Sequence, residues 1–321
     1  MSNTPLMQLR IAHTEPAARG IQRIELRHPQ GDLLPPFTAG AHIPVRTSGG
    51  AMRQYSLCNS PAETDRYVIA VKREENGRGG SRSLVDAAQP GLMLDVGEPE
   101  NLFELDPKAS SFVLIAGGIG ITPMMAMARH LVSEDGRPFK LYYLTRDAEG
   151  SAFLDELCAQ PFAPSVVVHH DGGDPANAYD LWPVLEKPGS TRGRHVYCCG
   201  PTPLMDAVRD MSGHWPTSAV HFESFGADTL PHADDQPFEV QLQRSGVRYT
   251  VPVGRSILDT LREHGVEVAS SCESGTCGSC KTRLLEGEAD HRDLVLLPEE
   301  RARRIMVCVS RAKTPCLVLD L

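Results

Sequence analysis

The sequence predicts a multidomain chain of mixed α+β and α/β class: an antiparallel β-barrel, then a doubly wound parallel sheet, then a small α+β domain built around a cysteine loop. Three observations predict it. Through the first hundred residues, short alternating apolar and polar segments are punctuated by Gly and Pro. From Ser111 onward, continuous apolar runs alternate with helical stretches. From Phe238, two strand patterns and a capped helix lead into the segment Cys272-Glu-Ser-Gly-Thr-Cys277-Gly-Ser-Cys280.

The 321 residues suffice for two or three domains, and at 41% hydrophobic and 23% charged they can bury full cores. A net charge of -9 argues against nucleic acid as a partner, which would call for a basic face. The start of the chain, Met1 to Ala12, lacks an apolar core behind a basic end, so no signal peptide is expected. No run reaches the roughly 18 apolar residues of a membrane span. Nine cysteines are too few for a disulfide scaffold in a chain of this length. The expectation is a cytoplasmic protein with reduced thiols and no membrane partner.

The barrel is expected over 1–107. Its strand-like segments include Gly20 to Leu26, Ala41 to Val45 and Tyr67 to Val71, with one helical stretch from Ser83 to Ala88 stopped by Pro90-Gly91. Two motifs lie in it. In Arg53-Gln-Tyr55-Ser56 a cation, an aromatic ring and a hydroxyl are expected on one strand face, where they could hold a flat anionic ligand. Gly77-Arg78-Gly79-Gly80-Ser81-Arg82-Ser83 opens the helix, and free amides, small residues and an arginine there make a phosphate cradle. Either motif alone also suits an ordinary strand or turn.

The parallel sheet is expected over 108–226. Phe112 to Ala116 reads as a buried strand that runs into Gly117-Gly118-Ile-Gly120-Ile-Thr122-Pro123 and a helix from Met124 to Val132. Thr122 suits an N-cap and Pro123 a first helical residue. Strand, glycine turn and helix start suit a pyrophosphate site, although the third glycine of the strict dinucleotide fingerprint is missing and a purely structural turn is the alternative. Strands are then expected at Lys140 to Thr145, Ser165 to His169 and His195 to Cys199. Helices are expected at Phe153 to Cys158, Leu181 to Leu185 and Pro203 to Ser212. Ligands of such a sheet bind at the carboxyl ends of its strands, which here include Gly117-Gly118 and Cys199-Gly200-Pro201.

Ala227 to Pro237 is polar and acidic and reads as a linker, leaving 238–321 for the last domain. There strands are expected at Phe238 to Gln243, Val247 to Val253, Lys281 to Leu285 and Cys316 to Leu319. A helix from Ser256 to His264 would bury Ile257, Leu258 and Leu261, and a helical patch is expected near Pro298 to Arg303. Cys272, Cys277, Cys280 and the distant Cys308 have the C-x4-C-x2-C…C spacing of a plant-type two-iron, two-sulfur cluster. One glycine-rich loop supplies three thiolates and another part of the fold the fourth. Structural zinc more often uses two C-x2-C pairs, or cysteine pairs with histidine. Such a cluster moves one electron at a time.

With these motifs together, the chain resembles the ferredoxin reductase superfamily, and in domain order the phthalate dioxygenase reductase and vanillate O-demethylase reductase family. The resemblance covers essentially the whole chain, and the last domain resembles the β-grasp ferredoxin fold. It implies FMN as flavin, with Arg53 on its phosphate, Tyr55 packed on the isoalloxazine and Ser56 near N5. Gly80, Ser81, Arg82 and Ser83 would hold the flavin phosphate, and Val71 and Lys72 would pass along the ring. Tyr197-x-Cys199-Gly200-Pro201 resembles the family's nicotinamide motif. Cys199 would sit beside the reacting carbon, and Gly118, Gly120, Thr122, Pro123, Gly200 and Pro201 would contact the dinucleotide. Phe225 would cover the flavin or else pack as an ordinary core residue. Arg146 leaves NADH and NADPH open by itself; the family implies NADH. It also implies electron flow from NADH through FMN and the 2Fe-2S cluster to a terminal Rieske non-haem iron oxygenase. The alternatives are a stand-alone diaphorase, a reductase serving a cytochrome P450, or a redox sensor module.

Overall fold

Apolar residues at alternate positions make the first strands one-sided, and the buried sides close on one another. The computed structural model describes all residues except 1–5, 51, 76–78, 188–192, 226–233, 271, 272, 274, 276, 277 and 294. The chain divides into two units, one of Thr4–Glu75 with Gly80–Ser224, the other chiefly Phe225–Leu321.

In the first unit, β1 (Met7–Ala18), β2 (Ile21–Arg27), β3 (His42–Arg46), β4 (Met52–Ser56), β5 (Tyr67–Lys72) and β6 (Met93–Val96) form an antiparallel sheet in the order β4-β3-β6-β1-β2-β5. Beyond β4, Leu57 bridges Ile69, and the Cys58 amide donates to the Val68 carbonyl at 2.9 Å, which curls the sheet into a barrel. Leu9, Ile11, Ile24, Leu26, Ile43 and Ile69 fill it, each fully buried. Helix α1 (Gly80–Ala87) starts three residues earlier than the sequence suggested, so Ser81, Arg82 and Ser83 lie in its first turn.

The same unit holds a parallel sheet of β7 (Ser111–Gly117), β8 (Phe139–Thr145), β9 (Val166–His170), β10 (Arg194–Cys199) and β11 (Val220–Glu223), in the order β11-β10-β7-β8-β9. Helices α2 (Ile121–His130), α3 (Leu154–Leu157), α4 (Trp182–Leu185) and α5 (Thr202–Met211) connect the strands. From β7 the chain adds β8 and β9 on one side, then returns to add β10 and β11 on the other. The crevice at that reversal lies between the ends of β7 and β10, the usual ligand position in a doubly wound sheet. The segment joining barrel to sheet is fixed by Tyr197, whose hydroxyl donates to the Glu104 carbonyl (2.9 Å) and accepts from the Asp106 amide (2.8 Å).

Thr122 is not an N-cap. Gly118–Gly120 already form a turn of 3-10 helix, so the chain is helical before Thr122 is reached, and the Thr122 hydroxyl donates to the Ile119 carbonyl at 3.1 Å instead. Pro123 is thus the third residue of α2, not the first, within the turn whose amides need no intrahelical acceptor.

In the second unit, β12 (Phe238–Leu242), β13 (Arg248–Val251), β14 (Lys281–Glu286), β16 (Arg304–Met306) and β18 (Cys316–Leu319) form a sheet in the order β13-β12-β18-β14-β16. Only β12 and β18 run parallel, and β15 (Ala289–Asp290) pairs with β17 (Arg311–Ala312) apart from them. Helix α6 (Ile257–Glu263) begins at a reciprocal cap between Ser256 and Asp259 and buries Ile257, Leu258 and Leu261. This is the β-grasp arrangement expected.

Two expectations fail here. Pro298 to Arg303 makes successive single turns, closed by the Glu300 and Arg303 amides, because the chain must straighten at Arg304 to pair with β14. Cys316, outside the four-cysteine spacing and for that reason expected in the core, is only half-buried. Of the linker expected at Ala227 to Pro237, residues 227–233 lie outside the described residues. Asp235 is buried against Arg292, and the Gln236 carbonyl accepts from Arg311 at 3.0 Å, so the end of this stretch is part of the last domain. Among the described residues no helix is long and apolar enough to cross a membrane.

Candidate functional site

The two barrel motifs meet. Arg53, on β4, lies over the start of α1: a Cβ added to Gly80 would fall 2.8 Å from the Arg53 Nε. The guanidinium therefore rests where a helix presents free amides, and only glycine leaves it room. Across the cradle, Ser83 Oγ donates to the Gly80 carbonyl at 3.0 Å and lies beside Gly49. Ser81 Oγ accepts the Glu74 amide at 3.2 Å. Arg53 and Tyr55 share a face of β4, but Ser56 follows directly and so alternates away from them, contrary to the single face expected for all three. The Tyr55 hydroxyl is buried without a hydrogen-bond partner among the described residues, and burial pushes its pKa up to about 12. A buried hydroxyl in that state fits a site completed by a polar, planar ligand. Val71 packs in the barrel core, and Lys72 is half-exposed and paired with Glu74 at 2.6 Å.

At the reversal of the parallel sheet, the two glycine segments pack backbone against backbone. A Cβ on Gly120 would lie 2.1 Å from the Cys199 carbonyl oxygen, and one on Gly117 would lie 2.6 Å from the Pro201 ring. A Cβ on Gly200 would likewise lie 3.0 Å from the Gly117 backbone. Gly118 differs: it has open space but a left-handed φ of 53°. These glycines let the ends of β7 and β10 pack closely at the start of α2.

Ser56 reaches the nucleotide sheet. Its hydroxyl donates to Glu223 Oε2 at 3.4 Å, and Glu223 is the register partner of Cys199 on the neighbouring strand. Burial pushes the Glu223 carboxyl up to about 8, against the opposing pull of the Ser56 hydrogen bond. Burial, reinforced by Glu223, holds the Cys199 thiol well above its usual range, so it is a neutral group. Glu223 escaped the sequence reading. Its one available signal was its place at the carboxyl end of a strand in an α/β sheet. Arg129 of α2 also joins barrel and sheet, donating to the Cys58 carbonyl and to both oxygens of Glu156 (2.9 and 2.6 Å).

In the second unit, Cys280 immediately precedes β14 and Cys308 follows β16 by two residues. Because Lys281 pairs with Met306 in antiparallel register, both cysteines come to one end of that strand pair. Both are buried, 3% and 1% exposed. Cys272 and Cys277 lie outside the described residues. Among the described residues near them, Glu273 (φ 52°), Gly275 (φ 75°) and Gly278 (φ 82°) are left-handed, a backbone conformation that suits glycine. Two buried thiols brought to one end of a strand pair fit a cluster held by thiolates. Phe225 opens this unit and is 44% exposed, so it is not a core residue.

A 2Fe-2S iron-sulfur cluster binding domain model matches residues 240–313, and an oxidoreductase NAD-binding domain model matches 114–210. The chain is 58% identical over 311 residues to the phthalate 4,5-dioxygenase oxygenase reductase subunit of Pseudomonas putida, covering 97% of this chain and 95% of that one. A solved phthalate dioxygenase reductase, described as a modular structure for electron transfer from pyridine nucleotides to [2Fe-2S], superposes with a TM-score of 0.89 at 57% identity over 98% of both chains. An intact type IV self-sufficient cytochrome P450 monooxygenase matches at a TM-score of 0.70 and 38% identity, over 98% of this chain and 41% of that one. Barrel, nucleotide sheet and cluster domain together define a pyridine-nucleotide-dependent iron-sulfur oxidoreductase. Within that class the chain belongs to the phthalate dioxygenase reductase family.

Proposed function

We propose that the chain is the reductase component of a Rieske non-haem iron oxygenase system, taking electrons from NADH and passing them through FMN and a 2Fe-2S cluster to the terminal oxygenase. The observation that carries this reading is the meeting of Ser56 with Glu223 beside Cys199, which joins the barrel motif to the nucleotide crevice. Bound FMN and cluster supply the conversion of one two-electron hydride donation into two single-electron steps.

The residues do the placing. Arg53 and the first turn of α1, with Gly80, Ser81, Arg82 and Ser83, hold the flavin phosphate. Tyr55 offers the ring a flat partner and a free hydroxyl. Gly118, Gly120, Thr122 and Pro123 bring the start of α2 to the dinucleotide pyrophosphate, while Gly200 and Pro201 line the other wall. Cys199, small and uncharged, lets the nicotinamide approach closely, and Ser56 fixes the flavin edge facing it. Glu223 keeps its proton at neutral pH while its Oε2 accepts the Ser56 hydroxyl, so no carboxylate charge stands beside Cys199. Cys272, Cys277, Cys280 and Cys308 hold the cluster.

The type IV P450 likeness favours one other reading, in which the electron acceptor is a cytochrome P450. The test presents the purified chain and NADH to a Rieske oxygenase and to a P450 separately. Reduction of the Rieske centre at the faster rate is expected. Faster reduction of the P450 would replace this reading with the other.

A further inference from the structure

Glu223 stands on a strand that burial alone does little to hold. β11 has four residues, lies at the edge of its sheet, and is only half-buried along its length. A short edge strand is prone to slip or fray, and a slip of one residue would turn Glu223 to the other face. His221 opposes this. It shares a face with Glu223, two positions on, and meets Tyr197 of β10 in register. The two rings stack, with centroids 4.3 Å apart and planes 15° from parallel. His221 Nε2 also lies 3.0 Å from Nδ1 of His195, which is 8% exposed. Both partners are held independently of β11. Tyr197 is fully buried and tied to Glu104 and Asp106, and His195 Nδ1 lies 3.9 Å from the Asp106 carboxylate.

We infer that His221, bonded to His195, is a positioning residue for hydride transfer: it locks β11 in register so that Glu223 stands opposite Cys199 within reach of Ser56. This rests on the NADH-to-flavin reading above. The chemistry of the pair gives the role a signature. Two facing ring nitrogens can share one proton, one donating and the other accepting. If both carry protons, both are donors and the bond is lost. Burial holds both imidazoles below the ordinary value of 6.5. The Asp106 carboxylate opposes that shift on both, while the Arg137 guanidinium reinforces it on His195 and His195 reinforces it on His221. Tyr197, its phenol pushed up to about 12 by burial, stays uncharged. The pair is therefore neutral and bonded at neutral pH, and comes apart in acid. Glu223, raised to about 8, already holds its proton throughout that acid window, so it adds no acid limb of its own.

The experiment uses the full chain with flavin and cluster bound, and two variants. His221→Phe keeps a ring over Tyr197 and deletes the bond. His221→Gln keeps a polar atom towards His195 that does not titrate. Circular dichroism first establishes that each is folded. Hydrogen exchange over β11, read by mass spectrometry at neutral pH, should be about tenfold faster in His221→Phe than in the parent and within about threefold of it in His221→Gln. In stopped flow, His221→Phe should reduce its flavin about tenfold more slowly at saturating NADH, with Kd for NADH within about twofold of the parent. Between about pH 7 and about pH 5 the parent should lose flavin-reduction rate, and His221→Gln should not. Should His221→Phe fail to fold, the pH comparison of parent and His221→Gln decides alone. The inference is overturned if His221→Phe matches the parent in exchange over β11 or in flavin reduction, or if the parent and His221→Gln share one pH profile. A parent whose flavin ignores NADH is a separate failure, that of the NADH-to-flavin reading itself.

Discussion

Ser56 Oγ and Glu223 Oε2 lie 3.4 Å apart, joining the last residue of β4 to the last residue of β11 across 167 positions of sequence. The contact gives the barrel and the nucleotide sheet a shared polar point next to Cys199. Replacing Ser56 with Ala removes the hydroxyl with almost no change in volume. Stopped-flow reduction of the flavin by NADH is expected to slow by roughly 10²-fold, with cluster content unaltered. An unchanged rate would remove Ser56 from the hydride-transfer site.

The pH dependence follows from Glu223. Its carboxyl is raised from 4.5 to about 8 by burial, so in that window the folded chain keeps a proton that the unfolded chain releases. The folded state then binds more protons, and its stability falls as pH rises from the lower value through the upper one. Melting temperatures measured across that window should decline in the parent chain and decline less in Glu223→Gln. A parallel decline in both would assign the effect to other groups.

Two glycines of one turn predict different costs. Gly120→Ala drives a Cβ to within 2.1 Å of the Cys199 carbonyl oxygen, and backbone cannot swing aside as a side chain can. A loss of about 2 kcal/mol is expected, with a raised KM for NADH because the crevice walls are forced apart. Gly118→Ala meets nothing within 4 Å and pays only for its left-handed φ, about 1 kcal/mol. Chemical denaturation of the two variants checks the order.

Arg129→Ala tests the seam between barrel and sheet. The guanidinium is mostly buried, while its partner Glu156 is 39% exposed and can regain water once the arginine is gone. The loss is therefore expected near 2 kcal/mol, below the range for a fully buried pair. Denaturant midpoints measure it, and Arg129→Lys should recover only part, since one ammonium cannot serve Cys58 and both Glu156 oxygens together.

What could be read from the residues, and what could not, divides by distance along the chain. The strand at Phe112 to Ala116, the Ser256 cap and the Cys272 to Cys280 spacing are local patterns, and local patterns carry their own physics. The Ser56–Glu223 contact is not local, and nothing in His221-Phe-Glu223 marks a carboxyl that will meet a barrel strand. Thr122 misled because a 3-10 turn at Gly118–Gly120 begins the helix before the residue with the best capping side chain. The segment from Pro298 misled because proline followed by two glutamates looks like a helix start. Strand pairing of Arg304–Met306 with β14 outweighs that preference.

The most direct test of the central claim is an anaerobic NADH titration of the holo chain, followed by visible absorbance and run beside Cys272→Ser. The parent should bleach at both flavin and cluster wavelengths, and the variant at the flavin wavelengths alone, with reduction of cytochrome c largely lost. A parent whose cluster absorbance ignores NADH, or a variant that loses flavin reduction and cytochrome c reduction equally, would contradict the electron path described here.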